Sequence, residues 1–94
     1  MIQISGKVKE DGVSSSNHYT STKVATGVYA ITFTTPLDSA PTVLLTTNTE
    51  DYEASSFYVV GASVKDVLNT GFTVNIANFN NPATDSGFNF LAIV

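Results

Sequence analysis

The chain has no cysteine, no tryptophan and no arginine, and it has a single histidine, His18. Without cysteine it has no disulfide framework, no thiolate metal site and no cysteine nucleophile. Small domains without such staples gain stability from a metal or from oligomerisation. The absences therefore favour a 94-residue chain that associates with further copies of itself.

The balance of charge excludes one large class of partners. All four basic residues are lysine, and the formal net charge is −4. Nucleic-acid binding needs clustered lysine and arginine to neutralise phosphates, and arginine for bidentate contacts to bases. The same balance disfavours anionic membrane surfaces and phosphorylated ligands. We therefore expect no nucleic-acid partner, and we expect neutral polar partners such as sugars or other proteins.

Long apolar runs are also missing. No stretch approaches the roughly 18–20 residues that cross a membrane, so we expect no membrane insertion. The first residues, MIQISGKVKEDG, lack the basic start and apolar core of a signal peptide. We expect either a protein used in the cytoplasm of the cell that makes it or one whose export address lies outside this stretch.

What is present is strand composition. Thr and Ser supply 23 residues, and Val and Ile supply another 16. Alternating runs recur every 8–12 residues or so, as in a sandwich or barrel. SVKDVLN is the nearest approach to a helical pattern, and it is short and rich in valine. The sequence predicts one all-β domain over residues 1–94, a single antiparallel β-sandwich of six to eight strands.

The stretch GVYAITFTTPLDSAPTVLLTT contains the clearest strand. Tyr29, Ile31 and Phe33 share one face of it, because successive side chains of a strand alternate. Pro36 cannot donate to a sheet ladder and ends that strand, while Pro41 can stand only at the start of the next. The link between the prolines is therefore predicted to be a corner that carries the chain from one sheet to the other.

The last run, FNFLAIV, is apolar on both faces. Phe88 and Phe90 lie on one face, and Leu91 and Ile93 lie on the other. A strand apolar on both faces is covered on both, whereas a two-layer sandwich covers only one. A second copy of the chain against the free face is the simplest explanation, which predicts a homo-oligomer.

The order of these segments resembles a known family. It runs from SGKVKEDG through GVYAITFTTPLDSAPTVLLTT to TGFTVNIAN and DSGFNFLAI, from about Ser5 to Ile93. It is similar to a β-sandwich module of phage tail-fibre C-termini and bacterial proteins, and in layout to the H-type lectins. The resemblance implies a trimer, carbohydrate binding without catalysis, and a place on a virion tail or an extracellular surface. The alternative is a structural trimerisation module of such a fibre with no small ligand.

The acidic segment NTEDYE, residues 48–53, is the first candidate for sugar contacts. Asp51 or Glu53 would accept hydrogen bonds from neighbouring hydroxyls, and Tyr52 would stack its ring on the C–H face of a sugar. Acidic loops are more often simply solvated. A calcium site is the other alternative, although the EF-hand spacing is absent and we predict no metal.

A second candidate is the polar segment ANFNNPATDSG. Asn78 and Asn80 are plausible partners for sugar hydroxyls, although asparagine at turns commonly satisfies its own backbone. The predicted carbohydrate-binding residues are therefore Asp51, Tyr52, Glu53, Asn78 and Asn80.

Nothing in the sequence selects a catalytic residue. His18 lies among serines without a nucleophile signature, and an exposed histidine on an edge strand is the simpler interpretation. The carboxylates show no spacing that selects a glycosidase pair, and a domain this small has few walls for a cleft. We therefore predict a non-enzyme without a cofactor.

Overall fold

In the computed structural model, the described residues are 1–14, 16–48, 60–78 and 83–94. They contain seven strands and no helix, so within this part of the chain no helix is available to cross a membrane. The strands are β1 Gln3–Val8, β2 Tyr19–Ala25, β3 Val28–Phe33, β4 Thr42–Asn48, β5 Val60–Leu68, β6 Gly71–Asn78 and β7 Gly87–Ile93.

The strands form two antiparallel sheets, as a β-sandwich requires. One sheet has three strands in the order β1-β7-β4, and the other has four in the order β2-β3-β6-β5. All the strand pairs are antiparallel. The predicted all-β sandwich is confirmed, with a strand count inside the predicted range.

Aromatic side chains fill the space between the sheets. Tyr29, Ile31 and Phe33 are all at most 4% exposed, as the alternation in β3 predicts. Tyr29 meets Phe88 of the opposite sheet edge to face, with 5.3 Å between ring centroids. Phe90 contacts two more rings, Tyr19 at 4.9 Å and Phe72 at 5.2 Å. These edge-to-face pairs join the two sheets into one core.

The link between β3 and β4 is the predicted corner. β3 belongs to the four-stranded sheet and β4 to the three-stranded sheet, so residues 34–41 carry the chain across. Leu37, within the link, is only 8% exposed and packs into the core. Its N–H donates to the Asn69 carbonyl at 2.9 Å, and the Asn69 Nδ2 donates to the Leu37 carbonyl at 3.2 Å. The corner is thereby fixed to the turn between β5 and β6.

The turn between β5 and β6 lies at Asn69 and Thr70. The SVKDVLN segment belongs to β5 up to Leu68 and forms no helix. A bulge between Lys65 and Leu68 interrupts its pairing with β6, and within it Asp66 has a φ of 52°. Aspartate tolerates this left-handed conformation better than most residues, so the bulge is accommodated without glycine.

The link between β1 and β2 runs the length of the sandwich, because β1 ends at one end and β2 starts at the other. It is anchored where it passes the strands. Ser14 Oγ donates to the Lys7 carbonyl at 3.0 Å and also forms a hydrogen bond with the Tyr19 hydroxyl. Gly6 lies beneath the Tyr19 ring, where a Cβ would come within 2.3 Å of the hydroxyl oxygen. Glycine is therefore required at this position of β1.

The two ends of the described chain lie side by side. The Ile2 N–H donates to the Val94 carbonyl at 2.9 Å, and the Val94 N–H donates to the Ile2 carbonyl at 3.0 Å. This pair extends the β1–β7 ladder by one residue beyond both strands.

The outward face of β7 is apolar at Leu91 and Ile93, as the sequence predicts, and polar at Asn89. Leu91 and Ile93 are half-buried there, and Leu44 of neighbouring β4 is 55% exposed opposite Leu91. The pairs across this sheet are Ser5–Leu91–Leu44 and Gln3–Ile93–Thr42. We call the outward side of these two rows the apolar face. It carries no charged residue.

Candidate functional site

One end of the sandwich gathers the starts of β3, β5 and β7 with the ends of β1, β2, β4 and β6. We call it the groove end, and the opposite end, with residues 34–41 and the β5–β6 turn, the corner end. The two segments predicted to contact sugar both attach to the groove end. Residues 49–59 join Asn48 to Val60, and residues 79–82 join Asn78 to Ala83.

Most of the predicted ligand residues belong to these two connections. Asp51, Tyr52, Glu53 and Asn80 lie outside the described residues, and Asn78 is the last residue of β6. Their role therefore stays a prediction. What the structure describes is the surface between the points where the two connections attach.

That surface contains a shallow groove of about 500 Å³ on the outer side of the four-stranded sheet. Its floor consists of small residues of β5 and β6. A Cβ on Gly61 would meet no described atom within 4 Å, so the described part of the chain leaves room above this residue. Ala77, which pairs directly with Gly61, continues the floor, and Ala83 and Thr26 stand at its margins. Short side chains are what leaves room for a ligand on an otherwise flat sheet.

Polar groups lie in the groove beside apolar ones. Val28, Asn75 and Ser63 are directly paired across β3, β6 and β5, so their side chains form one row on the outer side. The Asn75 amide supplies both donors and an acceptor, and the Ser63 hydroxyl can do either. With the methyl groups of Val28 this row matches a sugar, which presents hydroxyl groups on its rim and C–H groups on its faces.

Asp85 lies behind one margin of the groove and holds it together. Its Oδ1 accepts a hydrogen bond from the Gly27 N–H at 2.8 Å, and its Oδ2 forms an ion pair with Lys23 Nζ. The Tyr29 hydroxyl lies 3.5 Å from Oδ1 and donates to the Glu10 carbonyl at 2.6 Å. The carboxylate therefore connects the segment before β7 with β2 and with the β2–β3 turn.

Comparison with protein families identifies the fold. The model of the H-type lectin domain matches residues 28–93. The chain belongs to the H-type lectin family. A search of curated proteins and a search of solved structures find no match. Family membership supports a lectin-like, carbohydrate-binding function, and H-type lectins are in general not catalysts.

The charge of Asp85 in this lectin domain is stabilised by its neighbours. Partial burial alone would raise the pKa of the carboxyl, but the hydrogen bonds from Lys23 and from the Gly27 N–H outweigh it and the pKa is lowered. Burial raises the pKa of the Tyr29 hydroxyl, and the negative charge of Asp85 raises it further. At neutral pH the cluster is thus an ionised carboxylate beside a neutral tyrosine.

His18 lies at the corner end of the lectin domain, away from the groove. It is exposed and lines a depression of about 420 Å³ together with Asp38 and Pro36. Within the described ranges, no three histidine, aspartate or glutamate side chains come together as metal ligands. The simpler interpretation of this histidine holds for its exposure, but His18 directly precedes edge strand β2 rather than lying on it.

The residues that shape the groove were not found from the sequence. In the sequence, Asp85 is notable only as part of DSGFNFLAI, one of the segments that carry the family resemblance. Its partner Gly27 is 58 residues away, so no local spacing connects them. A sequence signal for Gly27 does exist, because the turn ATG precedes a clear strand and glycine suits the φ of 71° found there.

Proposed function

We propose that this H-type lectin domain is a non-catalytic recognition module that binds neutral cell-surface carbohydrate at its groove end. The observation that carries the proposal is the open groove at the end of the sandwich to which both polar connections attach. Ser63 and Asn75 supply hydrogen bonds, and residues 51–53 with Asn78 and Asn80 supply the remaining contacts. The absence of arginine fits a ligand without phosphate or carboxylate groups.

The biological setting that we propose is the tip of a phage tail fibre or of an adhesin, on a virion or an extracellular surface. Affinity there would come from several weak sites held in fixed symmetry. The genes next to the coding gene test this setting. Tail or baseplate genes would support the phage fibre, and genes of an unrelated metabolic pathway would contradict both settings.

An array of galactose-, mannose-, N-acetylglucosamine- and N-acetylgalactosamine-terminated glycans tests the ligand class. We expect binding to a subset of them, and no binding by an intact oligomer at high protein density would refute the proposal. Tyr52→Ala should abolish binding, whereas Tyr52→Phe should retain it because the ring that stacks is kept. Asp51→Asn should weaken binding, and Asp38→Asn is the matched control at the corner end. Hydrolysis of a glycoside would contradict the non-catalytic assignment.

We also propose that the domain is a homo-oligomer, most simply a trimer, assembled through the apolar face. An exposed leucine beside two half-buried apolar residues, in two rows without a charged side chain, favours burial against a second copy. Light scattering should give about 30 kDa, three times the chain mass of 9.9 kDa. Leu44→Lys should shift the mass to that of one chain, and Thr22→Lys on the outer side of the other sheet should not. A mass near 10 kDa for the unmodified protein at micromolar concentration would refute the assembly.

The second candidate function is that of a structural trimerisation module without a ligand, and the apolar face favours it as well. The two candidate functions predict different results for the variants in assembly and in glycan binding. A structural module would lose assembly in Leu44→Lys and would show no array signal in either state.

A further inference from the structure

The groove has two margins that belong to different parts of the chain. Thr26 and Gly27 form one, in the turn between β2 and β3, and Ala83 forms the other, ahead of β7. Backbone hydrogen bonds link each margin to Ile76 of β6. The Ile76 N–H donates to the Gly27 carbonyl at 2.7 Å, and the Thr84 N–H donates to the Ile76 carbonyl at 3.2 Å. These bonds reach both margins through β6 rather than connecting them directly.

A direct connection is made by one side chain. The Asp85 Oδ1 accepts the Gly27 N–H, so a residue of the second margin's segment holds the first margin by its backbone. The approach is close, since a Cβ on Gly27 would come within 2.9 Å of the Thr84 nitrogen and 2.5 Å of the Ile76 carbonyl oxygen. Little space is left for the turn to shift without breaking this contact.

The groups around the carboxylate keep it charged. Lys23 faces it from β2, and Tyr29 faces it from β3. Glu10 lies behind the tyrosine. Its backbone carbonyl accepts a hydrogen bond from the Tyr29 hydroxyl, and its negative charge also raises the pKa of that hydroxyl. Of these groups only Lys23 carries a positive charge, so protonation of Asp85 would leave the Gly27 N–H with a weaker acceptor and Lys23 without its ion pair.

We propose that Asp85 is a positioning residue for carbohydrate binding: its ionised carboxylate sets the distance between the two margins of the groove and makes binding sensitive to acid. The inference rests on the proposed function, because it assigns a role within the same groove. Asp85 itself lies behind the margin, and its effect on the ligand is transmitted through Gly27 and Ala83.

Binding of Asp85→Asn to the glycan that gives the strongest array signal is the first test. Asparagine keeps the shape of the side chain and removes its charge. At pH 7 we expect binding at least ten-fold weaker than that of the unmodified protein, with assembly unchanged by light scattering. Asp38→Asn, the same change at the corner end, should bind as the unmodified protein does. Equal binding by Asp85→Asn and the unmodified protein would overturn the proposal.

The Gly27 amide resonance supplies a second readout that needs no ligand. Because this N–H donates to the carboxylate, its proton chemical shift should follow the ionisation of Asp85 when the pH of the unmodified protein is lowered. The loss of glycan binding should follow the same curve. A Gly27 shift that does not titrate, or glycan binding that persists after the shift has titrated, would overturn the proposal even if Asp85→Asn failed to fold.

Failure of the proposed function gives a different pattern. If the unmodified protein binds no glycan, the ligand assignment is wrong, and Asp85 is judged by amide exchange alone. Faster exchange at Gly27 and Thr84 in Asp85→Asn, with exchange in β7 unchanged, would support its role in holding the two margins. Unchanged exchange at both amides would overturn that role.

Discussion

The two ends of the sandwich are held by different physical means. At the corner end, Leu37 is buried in the core, and hydrogen bonds to the backbone carbonyl and from the side-chain amide of Asn69 tie it to the turn between β5 and β6. At the groove end, an ionised side chain, Asp85, ties one segment to another, with Lys23 and the Gly27 N–H as partners. Apolar burial responds little to pH or salt, whereas an ionic contact responds to both.

The difference determines which end of the domain responds to a change of pH. A corner that carries the chain between sheets fixes the topology, and the contacts of Leu37 that stabilise it involve no titratable group. The end that carries the groove is stabilised by a contact whose strength depends on a proton. The following three changes test this contrast, from the largest expected effect to the smallest.

Leu37→Ala should destabilise the corner end the most. Removing a buried leucine side chain typically costs about 2–4 kcal/mol, through lost burial and the cavity that remains. We expect the free energy of unfolding in urea to fall by this amount, and by the same amount at pH 7 and at pH 3. A loss that depends on pH would contradict the apolar character of this end.

Asp85→Asn should have a smaller effect that vanishes in acid. An aspartate whose pKa is lower in the folded chain than in the unfolded chain stabilises the fold above the unfolded value, about 3.9, and this contribution disappears as the pH falls through the lower folded value. At pH 7 we expect a loss of about 1–2 kcal/mol, since a charged hydrogen bond becomes a neutral one.

Urea denaturation of the unmodified protein and of Asp85→Asn from pH 7 down to pH 2 measures this difference. The two stabilities should converge in the most acidic samples. A constant difference across the range would show that the charge of Asp85 does not stabilise the groove end.

Lys23→Met should have the smallest effect. The Lys23 and Asp85 side chains are each about one-third exposed, at 34% and 31%, so solvent screens the ion pair and its contribution is about 0.5 kcal/mol. The difference should disappear at about 0.5 M salt, where charges are screened within a few ångströms. A larger loss that salt does not change would indicate that the lysine stem, rather than its charge, stabilises this end.

Local periodicity explains how much of the fold could be predicted. The alternation of Tyr29, Ile31 and Phe33 defines a buried face because side chains of a strand point in alternate directions. Pro36 and Pro41 mark the corner because proline lacks the N–H that a ladder needs. The apolar residues on both faces of β7 follow from the same rule. Each of these features is contained in a few consecutive residues.

The groove was not predictable in this way because its parts come together only after folding. The row of Val28, Asn75 and Ser63 depends on the register of three strands. The contact between Asp85 and Gly27 joins distant positions, and aspartate before a strand is too common to indicate a specific partner. The paths of residues 9–14 and 16–18 along the sandwich also depend on the order of the strands in two sheets rather than on the polar sequence of the link.

The paired ends of the chain have a practical consequence for how the domain can be tethered. Ile2 and Val94 exchange hydrogen bonds at the corner end, and β7 alone, with seven residues, places the groove end roughly 20 Å away at about 3.3 Å per residue. An attachment beside Ile2 or Val94 would therefore leave the groove in the half of the domain that lies farther from the support. Immobilising the domain on a sensor surface through a tag beside Ile2 or beside Val94 should give the same orientation, with the groove end farther from the surface than the corner end.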